Sequence, residues 1–153
     1  MKLSRQLVRI ELGAFNNYQS LERITIPLND NIFTNNDYLF QGCAQLKHVD
    51  LVERAELQET TIAALQFEDW RNDMNEKIDS INQILPNTPS GEWDEELEVW
   101  SGGRKALVIR GWIRSVLDKI SHYKALNEVV TALQPLVPPD IAKNHTLPFL
   151  KLP

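Results

Sequence analysis

Two segments of this chain superimpose without a gap. Phe15 to Ile26 lies over Phe40 to Leu51 at an offset of 25 residues, and both follow the pattern F-x5-L-x2-[IV]-x-[IL]. The second half of the pattern recurs at Leu7-Val8-Arg9-Ile10-Glu11-Leu12, only 14 residues before the next copy, as though a unit had been shortened. An internal repeat constrains a fold more than composition does, because each unit must adopt the same local structure and bury the same face. Every copy ends in a period-2 stretch. Ile10 and Leu12, Ile24 and Ile26, and Val49 and Leu51 point one way and their neighbours the other, the signature of a half-buried strand.

One strand per unit of this length predicts parallel stacking of successive units, the geometry of a leucine-rich solenoid. Asn17 and Gly42 fall at the same place in the two copies, and both residue types tolerate positive φ, so a left-handed turn is expected there. Pro27, Asn29, Asp30 and Asn31, then Asn35, Asn36 and Asp37, supply connecting loops. The Ala14-Phe15 and Leu39-Phe40 starts, Gln41-Gly42-Cys43 and the ending at Pro27 resemble the surface-antigen (BspA-like) class of leucine-rich repeats. Trp70-Arg71-Asn72-Asp73-Met74-Asn75, Ile81 to Thr88, Trp112 to Val116 and His122-Tyr123-Lys124-Ala125 resemble the helical C-terminal tail of such proteins in unicellular algae. That resemblance implies a binding scaffold and supplies no catalytic residue.

From Thr60 the apolar period changes to 3.6. Phe67, Trp70, Met74, Ile78, Ile81 and Leu85 make one stripe, read as a single helix of about 25 residues that Pro86 and Pro89 stop. A second helix is expected after Ser101-Gly102-Gly103 and before Pro135. Its stripe of Ile109, Trp112, Ile113, Val116, Leu117, Ile120, Tyr123, Leu126, Val130 and Leu133 is broad enough to touch both the first helix and the strands. Between them Trp93, Leu97 and Trp100 fall at i, i+4 and i+7 among Glu92, Asp94, Glu95, Glu96 and Glu98. This reads as a short acidic helix folded onto Arg104, Lys105, Arg110 and Arg114, or as a partner-capture element through its two tryptophans.

The fold expected is therefore α+β, a short leucine-rich-repeat parallel-strand solenoid capped by an antiparallel helical hairpin. The repeats occupy residues 1–57, the hairpin with its acidic insertion 58–134, and a proline-rich tail 135–153, with the tail docking onto the hairpin.

Little in the chain points to catalysis. His48, His122 and His145 lie more than four residues from one another, so no metal-ligand spacing exists. The single cysteine, Cys43, matches Tyr18 of the preceding copy and reads as a packing residue, with His48 its nearest candidate base. The six glycines form no phosphate loop. With 16 basic against 21 acidic residues the net charge of −5 argues against nucleic acid, and no apolar run approaches the length of a membrane span. No cofactor or metal is expected, and residues 1–7 lack the apolar core of a secretion signal, so the expected compartment is the cytosol or nucleus, with the cytoplasm the first choice.

The outward strand residues carry the functional expectation. In parallel register Arg9, Arg23 and His48 form one column and Glu11, Thr25 and Asp50 another. Either Arg9 pairs with Glu11 and His48 with Asp50 on a solvated face, or the columns form a recognition stripe for an acidic or extended peptide. The sequence thus predicts a non-enzymatic leucine-rich-repeat interaction scaffold with a protein or peptide partner. Candidate binding residues are Arg9, Arg23, His48, Glu11, Asp50, Trp93 and Trp100. The alternative is a self-associating fragment of a longer repeat protein, a homodimer paired at the edge Leu7 to Leu12 or packed hairpin to hairpin; an enzyme ranks last.

Overall fold

The computed structural model describes residues 1–11, 13–33, 38–96, 99–101, 103–138, 141 and 144, and of residues 93, 94 and 99–101 the backbone alone. In chain order the elements are β1 (Arg23–Ile26), β2 (His48–Leu51), α1 (Arg54–Glu56), α2 (Glu68–Asp79), α3 (Ile81–Ile84), β3 (Glu92–Asp94), β4 (Val99–Ser101) and α4 (Lys105–Leu133). A π-helical turn, Leu57–Ile62, prolongs α1.

β1 and β2 form because their apolar residues alternate and one face can be buried. Ile24, Ile26, Val49 and Leu51 all lie in the core. The strands pair in parallel with Arg23 opposite His48 and Thr25 opposite Asp50, so the 25-residue offset of the sequence copies is the register of the sheet. Ahead of each strand the chain turns at matched positions, Asn17 at φ 56° and Gly42 at φ 72°. Below those turns Phe15 and Phe40 stack with ring centroids 5.3 Å apart and planes 3° from parallel.

The repetition ends there. Among the described residues the parallel sheet has two strands, so the expected solenoid is corrected to a small mixed α+β fold with a long C-terminal helix. The physical reason lies at both sheet edges. At β2 the Val49 N–H, which a third strand would have engaged, donates instead to Asn82 Oδ1 of α3 at 2.9 Å. At β1 the edge is taken by residues 1–3 rather than by the partial copy. Lys2 bridges Thr25, and Leu3 N donates to Thr25 O at 2.9 Å. Ile10 of the partial copy bridges Phe33, with its N–H on Ile32 O at 2.9 Å. Arg9 and Glu11 therefore do not stack on Arg23 and Thr25; Leu12 lies outside the described residues.

Two helical expectations change as well. The single helix read over Phe67 to Leu85 is broken at Ser80 into α2 and α3, where the Ser80 hydroxyl donates to Lys77 O at 2.8 Å. Its stripe survives the break, since Trp70, Met74, Ile78, Ile81 and Leu85 are all buried. The acidic segment is a β-hairpin, not a helix: β3 and β4 pair antiparallel with Trp93 opposite Trp100. A helix there would set Glu92 beside Glu96, Asp94 beside Glu98 and Glu95 beside Glu98, like charges at i+3 and i+4 that destabilise so short a segment. Tryptophan and valine favour strands, and Gly91 at φ 87° turns the chain into the ribbon. Its base is held by Gly42 N on Ser90 O at 2.9 Å and Arg104 N on Pro89 O at 3.0 Å. The tail residues 139, 140, 142, 143 and 145–153 lie outside the described residues, and with them the expected docking of the tail.

α4 runs antiparallel to α2, as their contacts show in order. Trp112 Nε1 donates to Lys77 O at 3.1 Å, Tyr123 donates to Asp73 Oδ2 at 2.6 Å, and Gln66 N donates to Asn127 Oδ1 at 2.9 Å. Ile109, Ile113, Val116 and Val130 are fully buried on the same cluster as the strand residues, so one core joins the sheet and the helices.

The α2–α4 interface carries one pH-sensitive group. Partial burial opposes ionisation of Asp73, but Lys119 Nζ at 2.5 Å and the Tyr123 hydroxyl outweigh it and hold the carboxyl below the usual aspartate value. Burial and Asp73 together push the Tyr123 phenol up. The folded chain then binds fewer protons at Asp73 than the unfolded chain does. Its stabilisation is complete above an aspartate's ordinary value of about 4 and is lost as pH falls through the lower folded value. Asp73→Asn should flatten the acid limb of stability in urea melts between pH 2 and 7. The difference at neutral pH should stay below about 1 kcal/mol, since the pair is partly solvated; an unchanged acid limb would show that Asp73 is not responsible.

Candidate interaction surface on the strand face

The outward residues of β1 and β2 meet at the strands' N-terminal ends. Lys47 N and His48 N both donate to Glu22 O, at 3.1 and 3.2 Å, which draws the two chain segments together just before the sheet begins. A shallow groove of about 340 Å³ opens there, lined by Glu22, Arg23, Gln45, Lys47 and His48. Arg23 and Lys47 are exposed and His48 half-buried. Two full cations and an imidazole thus face one lining acid, Glu22.

Asp50 does not neutralise this cluster. Its carboxylate is engaged by Arg54 Nη1 at 3.5 Å, and Arg54 Nη2 reaches Asp79 at 2.7 Å, so the pairing of His48 with Asp50 expected from sequence is replaced by an Asp50–Arg54–Asp79 chain. Arg9 and Glu11 do pair, at 3.4 Å, but away from the sheet and with both side chains more than half exposed, where such a pair adds little. Of the seven residues proposed from sequence, the structure therefore brings Arg23 and His48 into one groove. It sets Asp50 on the same face under another partner and places Arg9 and Glu11 elsewhere. Trp93 and Trp100 are cross-strand partners by backbone register, and their side chains lie outside what is described.

Lys47, Glu22 and Gln45 belong to the groove and escaped sequence reading. They precede the alternating stretches, so the period-2 pattern did not include them. Lys105 escaped too. Expected to match the acidic segment, it is instead 3% exposed, with Nζ donating to Leu46 O at 2.7 Å, Cys43 O at 2.9 Å and Ala44 O at 3.3 Å. Burial, aided by Lys47, pulls the ammonium below the usual lysine pKa. Its spacing was a signal, since Lys105 lies four residues before Ile109 and seven before Trp112, on the apolar stripe.

Cys43 is fully buried, and its Sγ donates to Phe15 O at 2.9 Å. Burial pushes the thiol pKa up, the opposite of what a nucleophile needs. A second groove, of about 410 Å³, lies between the π-helical turn and α4, where Thr60, Thr61 and Leu65 face Lys124, Asn127 and Glu128. Its mixed charges favour neither sign of ligand. Among the described residues no group of three His, Cys, Asp or Glu side chains could hold a metal ion, and no helix is long and apolar enough to cross a membrane.

No family model, no curated protein and no solved structure matches the chain. The leucine-rich resemblance therefore rests on the motif residues alone.

Proposed function

We propose that this chain is a non-enzymatic protein-interaction module of the cytoplasm whose strand face binds an acidic protein or peptide. The observation that supports this is the groove at the head of β1 and β2, where Arg23, Lys47 and His48 converge while the nearest strand acid, Asp50, is committed to Arg54. Clustered like charges on an exposed face are unfavourable unless a partner compensates them, and an acidic ligand supplies that compensation. Arg23 contributes most, because it is exposed in the lining and no ion pair to its guanidinium is present among the described residues.

The test is calorimetric titration of the intact chain with hexaglutamate at rising salt. Binding should weaken steeply with salt, because exposed charges are screened over about 8 Å at physiological ionic strength. Arg23→Glu should abolish binding while stability stays within about 0.5 kcal/mol, as for other surface substitutions. Unchanged binding by Arg23→Glu at low salt would reduce the strand face to a solvated wall.

A further inference from the structure

The edge of β1 is occupied by a segment whose charge suits it poorly. Residues 1–3 add to the sheet in parallel through backbone hydrogen bonds: the Met1 amino group to Arg23 O at 2.8 Å, Thr25 N to Met1 O at 2.8 Å and Leu3 N to Thr25 O at 2.9 Å. Lys2 lies opposite Thr25 and is exposed, so the occupant adds a fourth basic group to the face that already carries Arg23, Lys47 and His48. Among residues 1–11 the charges are Lys2, Arg5 and Arg9 against Glu11, and apart from half-buried Leu3 and Leu7, residues 1–9 are exposed. Beyond the edge, Arg5 ties the segment down through Glu56 at 2.7 Å and Glu53 at 3.7 Å. The Arg5 and Glu56 side chains are more than half exposed, so these pairs hold weakly.

We infer that residues 1–3 are a displaceable strand, and that the acidic partner of the groove binds by taking their place as an extended segment along β1. This rests on the reading of the strand face as an acid-binding surface and adds how the partner sits there. A strand in the same parallel position keeps the same backbone hydrogen bonds and exchanges Lys2 for an acid beside Arg23, turning a like-charge diagonal into an attractive one. The fitting segment alternates. Acidic residues face outward with Arg23 and His48, and apolar residues take the inward place of Leu3, which packs against the core.

The experiment is an NMR titration of the intact, nitrogen-labelled chain with acetyl-(Val-Glu)4-amide. The Leu3 amide should lose its hydrogen-exchange protection while the Thr25 amide keeps its own. Leu3→Pro, which removes the Leu3 donor, should bind the peptide about fivefold more tightly, the equivalent of one net backbone hydrogen bond. Lys2→Glu, which makes the chain's own strand the better match, should bind it more weakly. Peptide binding with Leu3 still protected and with the affinities of both variants unchanged overturns strand exchange and leaves the acid-binding groove standing. Absence of binding by the wild type and by both variants overturns the two together.

Discussion

Replacing Lys105 by methionine should lower the stability of the chain by about 3 kcal/mol, the range expected when buried polar groups lose a charged partner. Its ammonium is the common donor for the carbonyls of Cys43, Ala44 and Leu46, the turn that leads the second sequence copy into β2. Methionine fills similar space and avoids the cost of burying a charge, which works in the variant's favour. Against that, the buried Leu46 carbonyl loses its donor at about 1–3 kcal/mol, Cys43 O is left with the Leu46 N–H alone at 3.2 Å and the more exposed Ala44 O loses a longer bond, and together these outweigh the gain. The side chain also reaches from the first turn of α4 to the turn before β2, about 60 residues away in sequence, so its loss loosens the joint between helix and sheet. Urea unfolding measures the change. A loss below about 1 kcal/mol would mean that water enters and satisfies the turn.

Trp112→Ala should cost more, about 3–5 kcal/mol, the usual range for a buried large aromatic. The indole is 6% exposed in the seam between α2 and α4, and its Nε1–H is spent on Lys77 O at 3.1 Å, near the end of α2. Removing it leaves a cavity and takes the indole donor from Lys77 O, which keeps the Ser80 hydroxyl at 2.8 Å. Trp112→Phe separates the two losses. It keeps most of the ring volume and gives up the hydrogen bond, so it should cost about 1 kcal/mol beyond its smaller area. Equal losses in both variants would place the energy in the hydrogen bond, and losses below 1 kcal/mol in both would place the indole in solvent.

Periodicity recorded which faces are buried and how two copies align, and both are local or near-local properties. The register of Arg23 with His48, the left-handed turns at Asn17 and Gly42 and the span of α4 were legible for that reason. What ends the sheet was not. Asn82 capping the Val49 N–H is a contact across 33 residues, and an asparagine within an apolar stripe carries no mark of its target. The break at Ser80 was hidden because α2 and α3 keep one 3.6-residue phase, so the stripe looks continuous whether or not the backbone bends. Around Trp93 and Trp100 the spacing fits a helical face and a hairpin pair equally, and like-charge repulsion along a helix is the signal that decides between them.

The strand-face site was half legible. Alternation marked Arg23 and His48 as outward, but the engagement of Asp50 elsewhere depends on Arg54, which reaches back four residues from α1 to draw it away. Extrapolating two copies to a third placed Arg9 and Glu11 on the sheet. The 14-residue spacing of that unit, against 25 for the next, already leaves only Gly13 and Ala14 between Leu12 and Phe15, where 13 residues connect Ile26 to Phe40.

Docking of acidic chains where Arg23, Lys47 and His48 converge is what we propose for the strand face. Chemical-shift mapping of the labelled intact chain with hexaglutamate, beside hexalysine as the opposite charge, tests it most directly. The largest changes should fall on Glu22 and Arg23 and on Gln45 to His48, grow with hexaglutamate and be absent with hexalysine. Changes centred instead on the β3–β4 hairpin, or equal responses to both peptides, would contradict it.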